Sequence, residues 1–193
     1  MDVNKVYLES VNKQFLYYKK LAEKAVEQLE PEQLSSTITG HDEINSIATV
    51  MKHMSGNMLS RWTDFFTSDG EKPWRDRDAE FVNETADRDE LLAQWEEAWA
   101  RLFQVLDSLK PEQLLDIVYI RNEGHTVMEA INRQLAHYPY HVGQIVYAAK
   151  LLKQGSWDSL SIPKNSSKQY NENKFIQEKT VKHFTDDELK RLK

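Results

Sequence analysis

Histidine offers the clearest chemistry in this chain, because the 193 residues include six histidines and no cysteine. His137 and His141 lie four positions apart in the segment His-Tyr-Pro-Tyr-His. On a helix this spacing places two imidazoles one turn apart on the same face, where they can share a metal ion. Many histidine pairs with this spacing are merely exposed, so the pair alone leaves both interpretations open.

An internal repeat divides the chain into two similar halves. The segment Leu-Glu-Pro-Glu-Gln-Leu at 29–34 recurs as Leu-Lys-Pro-Glu-Gln-Leu at 109–114. After four extra residues in the second copy, Gly40-His41 corresponds to Gly124-His125. The repeat predicts two helical hairpins related by a pseudo-two-fold axis, as in a four-helix bundle. Chance similarity between two helical hairpins is the alternative.

The repeat adds a third histidine to the pair. His53 corresponds to His137, and Asn57 occupies the position that corresponds to His141. All three histidines are displaced toward the same side of the apolar stripes of their helices. Equivalent flanks can face each other across the axis, so we expect His53 to reach the pair. Three unconnected histidines at the edge of the core are the alternative.

Three neutral imidazoles with no carboxylate nearby predict a metal site with an open coordination position, since closed structural sites use four protein ligands. The set suits Zn or Ni first, with Fe as an alternative. A water bound there would be acidified toward neutral pH. We expect Asn57, His125 and Tyr140 to support the ligands or to contact a substrate. Pro139, between the two paired histidines, predicts a kink. The kink would be either local strain that packing compensates or a distortion with a functional role at the site.

Long amphipathic helices must position these histidines. Apolar residues at spacings of three and four predict four of them, at about 8–29, 43–65, 92–109 and 127–152. Asp89 is expected to cap the third helix, and Thr126 with Glu129 the fourth. Runs of strand type are lacking, so the predicted class is all-α. The polar segment at 68–88 is too long for a hairpin and predicts a crossover, with helices two and three running the same way.

One domain is expected, with a four-helix bundle at 1–155 and a C-terminal extension at 156–193 that packs on it. The extension would end in a short helix beginning near Thr185. The net charge of −6 argues against nucleic-acid binding, and the lack of cysteine excludes disulfide scaffolds and cysteine-ligated metal sites. No apolar run is long enough for a membrane span, and no targeting signal opens the chain, so we expect a cytoplasmic protein without a membrane partner.

The chain resembles the DinB-like superfamily of bacterial metal-binding four-helix bundles. Within it, the chain is most similar to a branch of unknown function from Bacillus-type bacteria that is related to bacillithiol-transferase-like proteins. The resemblance covers about residues 3–173. It rests on Val-Met-Lys-His-Met around His53, His-Tyr-Pro-Tyr-His-Val-Gly-Gln-Ile at 137–145, Asp-Gly-Glu-Lys-Pro-Trp-Arg at 69–75, Arg77-Asp78 with Glu80-Phe81, and Ser-Leu-Ser-Ile-Pro at 159–163.

This resemblance implies an up-down-down-up bundle, a metal-binding triad of His53, His137 and His141, and a homodimer. Characterised relatives in the superfamily are metal-dependent enzymes, transferases and an isomerase, that use low-molecular-weight thiols such as bacillithiol or mycothiol. A small-molecule substrate is therefore expected. The proline at 139 departs from the small residue that the family pattern has there.

Three functions are compatible with these observations. In the first, a metal-dependent enzyme of transferase or hydrolase type deprotonates a thiol or water at the open position, and this attacks an electrophile. The second is a non-catalytic metal-binding or stress-associated protein. The third is an interaction bundle without a metal. In any thiol chemistry the sulfur must arrive on a small molecule, because the chain has no cysteine.

Overall fold

The computed structural model describes residues 2–37, 44–82 and 86–192. In this part of the chain, helices dominate. The elements are α1 (Val3–Val26), α2 (Ile47–Trp62), α3 (Arg88–Ser108), β1 (Ile117–Ile120), β2 (Glu123–Thr126), α4 (Val127–Leu152), α5 (Ser167–Phe175) and α6 (Thr185–Arg191). The four long helices agree with the predicted amphipathic segments. Short 3₁₀ turns at Pro31–Ser35, Ala79–Phe81 and Pro111–Leu115 lie between them.

The ends of the helices show which capping predictions hold. The predicted box at the start of α4 is confirmed, with Thr126 accepting the backbone N–H of Glu129 and the Glu129 carboxylate accepting that of Thr126. Asp89 is not the cap of α3, because Asp87 takes that place and accepts the N–H groups of Asp89 and Glu90. The predicted start of α2 near residue 43 lies outside the described residues.

The core lies between the long helices, with α2 packed along α3 and α1 packed along α4. Further contacts join α2 to α4 and α1 to α3. At the centre, the ring of Phe15 lies 6.3 Å from that of Trp99 and 5.9 Å from that of Tyr138, measured between centroids. All three side chains are fully buried. Burial of an apolar side chain of this size contributes about 1.5–3 kcal/mol, so these rings hold α1, α3 and α4 together.

A short β-hairpin is present where the sequence analysis expected no strands, in a structure that is otherwise predominantly helical. Strands β1 and β2 pair antiparallel across the two-residue turn Arg121-Asn122, whose φ angles are 56° and 62°. Two positive φ values are typical of a type I′ turn. The Asp69 carboxylate accepts the backbone N–H groups of both turn residues, each at 2.8 Å. The sequence signal is weak because each strand has four residues and Arg-Asn is not a usual type I′ dipeptide.

The repeated loop adopts one structure in both halves. Pro31–Ser35 and Pro111–Leu115 are 3₁₀ turns of the same length. In each, the glutamine side chain accepts the backbone N–H three residues before it, at 2.8 and 2.9 Å, and the following leucine is buried. The loop sequence therefore specifies its own fold. The Gly40-His41 part of the repeat lies outside the described residues.

The C-terminal segment contacts helix α1. Lys13 forms an ion pair of 2.7 Å with Asp186, and the Ser10 hydroxyl lies 3.0 Å from a ring nitrogen of His183. The predicted short helix is confirmed as α6, which begins at Thr185. Helix α5 was not predicted, because its residues carry no apolar stripe. The boundary at residue 155 stays a prediction. None of the helices in the described ranges has the length and hydropathy needed to cross a membrane.

Candidate metal centre

Three imidazoles from two helices converge at one point. His53 projects from α2, while His137 and His141 project from successive turns of α4. One ring nitrogen from each lies within 4.8 Å of those from the other two. The ring centroids are 4.7–5.5 Å apart. The structure thus brings together the three residues that the sequence predicted as metal ligands, and this group could hold a metal ion.

Hydrogen bonds at the opposite ring nitrogens orient the three imidazoles. Nδ1 of His53 lies 2.9 Å from Oε2 of Glu80, and Nδ1 of His141 lies 2.8 Å from Oε1 of Gln144. Nδ1 of His137 faces Oε1 of Gln134 at a longer 3.4 Å. Each Nδ1 can donate to an oxygen, which leaves the Nε2 lone pair free. An acceptor of this kind behind each histidine is the usual arrangement in protein metal sites.

The spacing of the two nitrogens on α4 also fits a small divalent ion. Nε2 of His137 and Nε2 of His141 are 3.0 Å apart. Two nitrogens bound tetrahedrally to zinc at 2.0–2.1 Å would be about 3.3 Å apart, so this pair needs only a small adjustment. The donors are all imidazole nitrogens, which suit Zn, Ni and Fe alike.

The protonation of His137 and His141 favours the form that binds metals. Burial, together with the neighbouring positive groups, lowers the pKa of His137 to about 4. Burial also lowers the pKa of His141. Both imidazoles are therefore neutral at pH 7, and a neutral imidazole carries the lone pair that a metal needs.

A carboxylate lies beside the triad, contrary to the sequence expectation. Glu80 belongs to the crossover between α2 and α3, and its side chain is only 10% exposed. Arg75 donates from Nε to Oε1 at 2.7 Å and from Nη2 to Oε2 at 2.9 Å. Burial raises the pKa of Glu80, but the bonds from His53 and Arg75 outweigh it, and the pKa is lowered overall. Glu80 is therefore ionised, held rigidly, and placed to orient His53.

Helix α4 continues through Pro139 between the two paired histidines. Both histidines therefore lie on one continuous α4, and the kink expected at Pro139 stays a prediction. The neighbouring Tyr138 is fully buried, and its hydroxyl accepts from Trp62 Nε1 at 3.1 Å and donates to Asn57 Oδ1 at 3.2 Å. This chain of bonds ties α4 to α2 next to the site.

The supporting residues expected from the sequence have different surroundings. Asn57 is buried and lines a cavity that His53 and His137 also line. Tyr140 is mainly exposed, and its ring contacts that of His141 at 5.0 Å. His125 lies on β2, and no contact joins it to the three imidazoles among the described residues. Its Nε2 is buried without a hydrogen-bond partner there.

Comparison with known protein families gives a match. A protein-family model described as a protein of unknown function, DUF1572, matches residues 2–166. The chain belongs to the DUF1572 family. Neither a curated protein nor a solved structure matches this DUF1572 chain. The matched segment includes the three histidines, Glu80 and Arg75, so the whole candidate centre lies within the family's own region.

Some supporting residues of the DUF1572 chain were missed in the sequence. Gln134 precedes His137 by three positions, and Gln144 follows His141 by three. Residues three apart on a helix are neighbours, so this symmetric spacing was a signal that sequence reasoning could have used. Glu80 and Arg75 carried no such signal, because they lie in an irregular polar segment far from the histidines in sequence.

A cavity of about 230 Å³ adjoins the candidate centre of this DUF1572 chain. His53, Asn57, Gln134 and His137 line one part of it. The remaining lining residues are arginines from α2, the crossover, the hairpin turn and α4: Arg61, Arg75, Arg77, Arg121 and Arg133. Two imidazoles of the triad therefore face a space through which a small molecule can approach.

Proposed function

We propose that this DUF1572 chain binds one divalent metal ion through His53, His137 and His141 and acts as a metal-dependent enzyme on a small molecule. The observation that carries the proposal is the convergence of three imidazoles whose Nδ1 atoms all face oxygen acceptors. Packing of the helices does not require three Nε2 atoms to be oriented toward one point in this way. The proposed reaction is transfer to or from a low-molecular-weight thiol, or a hydrolysis.

The proposed architecture is a DinB-like four-helix bundle in up-down-down-up order. The pairing of α2 with α3 and of α1 with α4 supports it, as does the crossover of about twenty-five residues between α2 and α3, long enough to connect helices that run the same way. The same crossover brings Glu80 and Arg75 to the triad.

Some residues of the site would bind the metal ion, and others orient the ligands. The three histidines offer three ligands, and a tetrahedral or five-coordinate ion would keep a further position for a ligand from solution. When bound, the ion supplies Lewis acidity and lowers the pKa of a water or thiol held beside it. Glu80, Gln134 and Gln144 fix the ring orientations. Asn57 lines the adjoining cavity, and its Oδ1 is already occupied by the Tyr138 hydroxyl.

The cavity is what favours catalysis over a purely structural ion. A structural zinc site is closed by four protein ligands. Around the triad, the described residues provide no fourth cysteine, histidine or carboxylate ligand, because Glu80 is turned toward Nδ1 of His53 and away from the shared point. A ligand from solution can therefore enter through the cavity that His53 and His137 line.

Elemental analysis of the untagged full chain tests the proposal. We expect about one Zn or Ni per chain, and none in a variant with all three triad histidines changed to alanine. His125→Ala is the matched control and should keep the metal, because that histidine makes no contact with the triad. A parent protein without stoichiometric metal, even after incubation with Zn²⁺ and Ni²⁺, would refute the proposal.

Cobalt substitution then tests for the open position. Addition of a small thiol, such as free cysteine, to the Co²⁺-loaded chain should change the visible spectrum through a new sulfur-to-cobalt absorption. The metal-loaded chain should also accelerate reactions in a panel that pairs small thiols with electrophiles or offers hydrolysable esters and amides. A spectrum that no thiol or anion changes, together with an inactive panel, would favour a non-catalytic metal-binding protein.

A further inference from the structure

We infer that the cavity beside the triad binds an anionic group of the substrate, a carboxylate or a phosphate, through its arginines. The inference rests on the proposed function, because it assigns the substrate class of the same site. The five guanidinium groups that line the cavity come from four separate parts of the chain. Glu71 and Glu80 pair with some of these arginines, but no carboxylate of the described residues lines the cavity.

Two of the arginines form a rigid inner wall. Arg75 has a side chain only 2% exposed, held by Glu80 and, at 3.5 Å, by Glu71. Arg61 is 6% exposed, donates to the Gly70 carbonyl, and pairs with Glu71 at 3.2 Å. Guanidinium groups fixed in advance lose little entropy on binding an anion, and their planar forks match carboxylate and phosphate oxygens.

One of the two inner arginines has a buried donor without a partner. Nε of Arg61 is buried and has no acceptor among the described residues. Buried N–H groups are almost always hydrogen-bonded, since an unmade bond there costs about 1–3 kcal/mol. Since Arg61 lines the cavity, a ligand oxygen that reaches this N–H would supply the acceptor that the described residues lack.

Two of the three outer arginines remain available to a ligand. Arg77, Arg121 and Arg133 lie at the outer part of the cavity lining. Arg121 pairs with Glu71 at 3.1 Å, whereas the Arg133 side chain forms no hydrogen bond or ion pair with the rest of the described chain. Arg77 lies over the Phe81 ring at 4.9 Å, with only the fully exposed Asp78 near it at 3.9 Å. These long side chains can close over an anion that the inner wall holds.

The charge of the metal centre favours the same substrate class. Imidazole ligands carry no negative charge to offset the two positive charges of a divalent ion, and Glu80 is already paired with Arg75. A substrate with an anionic group would compensate the positive field of both the ion and the arginines. At about 230 Å³, the cavity has room for a small anionic group but not for a large apolar ligand.

The test measures anion binding in the metal-free full chain, so that it reports on the arginines and not on the ion. Inorganic phosphate, malonate and an uncharged diamide of malonate are titrated by calorimetry at constant ionic strength. Side-chain NMR of the arginine Nε–H groups follows the same titrations. We expect phosphate, malonate or both to bind, the diamide not to bind, and the Arg61 Nε–H signal to shift.

Arg133→Gln and Arg77→Gln are the test variants, because both side chains reach solvent and their loss should leave the fold intact. Each should weaken anion binding about tenfold, the cost of one charge-assisted hydrogen bond. Lys150→Gln removes the same charge from the far end of α4 and should change affinity little. Binding of phosphate alone assigns a phosphorylated substrate, and binding of malonate alone assigns a carboxylate.

Three results would overturn the inference. They are the absence of anion binding, equal weakening by Lys150→Gln, and binding that appears only with metal and is unaffected by the arginine variants. Anion binding in a chain that elemental analysis shows to hold no metal would support the anion site while refuting the proposed metal function. The two ideas therefore fail in different experiments.

Discussion

Glu80→Gln should weaken metal binding without touching a metal ligand. The Glu80 carboxylate accepts three bonds, from His53 Nδ1 at 2.9 Å and twice from Arg75. Glutamine has almost the same shape but only one oxygen. Its NH₂ group must therefore face either the imidazole N–H or the guanidinium, and both of these are donors. The substitution removes the negative charge behind His53 and also disturbs the orientation of the ring.

The size of the effect follows from the role of such acceptors. Loss of a hydrogen-bond partner behind a metal-bound histidine costs about 10–100-fold in metal affinity. That range corresponds to about 1.4–2.7 kcal/mol. Because Glu80 is nearly buried and bonded directly to the imidazole, we expect a value in the upper half. The unfolding free energy should fall by about 1–3 kcal/mol as well, since Arg75 loses its main acceptor.

The assay is competition for Zn²⁺ with a chromophoric chelator at constant pH, on protein whose helical content is checked by circular dichroism. Glu71→Gln is the matched control, since Glu71 pairs with Arg75 and Arg61 but contacts no imidazole. It should change affinity by less than about threefold, the size expected for a distant charge. Unchanged affinity in Glu80→Gln, or an equal loss in Glu71→Gln, would refute the role given to Glu80.

Three further predictions concern stability. Gly56→Ala should lower both stability and metal affinity, because a Cβ there would overlap Oε1 of Glu80 and lie 2.8 Å from its Cδ. A Cβ at Gly143 would meet nothing within 4 Å, so Gly143→Ala should raise the unfolding free energy, measured by urea denaturation, by about 1 kcal/mol. If both substitutions stabilise the protein, the prediction that Glu80 leaves no room for a Cβ at Gly56 is refuted. Asp69→Asn should cost about 1–3 kcal/mol at pH 7, because the carboxylate accepts three backbone N–H groups. Burial raises the pKa of Asp69, but those bonds outweigh it and lower the pKa below its ordinary 3.8. Their contribution to stability is therefore present above that pH and lost below it. The stabilities of parent and variant should converge in acid, and a difference that stays constant with pH would contradict this prediction. Removal of the metal from the parent protein with a chelator should lower the melting temperature, measured by differential scanning calorimetry, by about 5–10 °C. This is the effect of losing a ligand present at 100 times its Kd. The chelator should not change the melting temperature of the triple-alanine variant.

The sequence was sufficient for the features that depend on local geometry. Apolar spacing predicted the four long helices, and the Thr126–Glu129 box marked the start of α4, because both depend on residues within one or two turns. The spacing of His137 and His141, combined with the repeat that relates His53 to His137, also predicted the triad. These inferences need only the period of a helix and the pairing of two similar halves.

Contacts between distant segments were beyond such reasoning. Glu80 reaches His53 across 27 positions, and Asp69 reaches the hairpin turn across 52 and 53. The crossover is irregular and the hairpin is short, so no periodic pattern in their sequences predicts where their side chains lie. How they dock depends on the packing of the helices between them. The triad could thus be read from helical spacing, whereas its carboxylate and its arginine-lined cavity arise from segments that meet only when the core has formed.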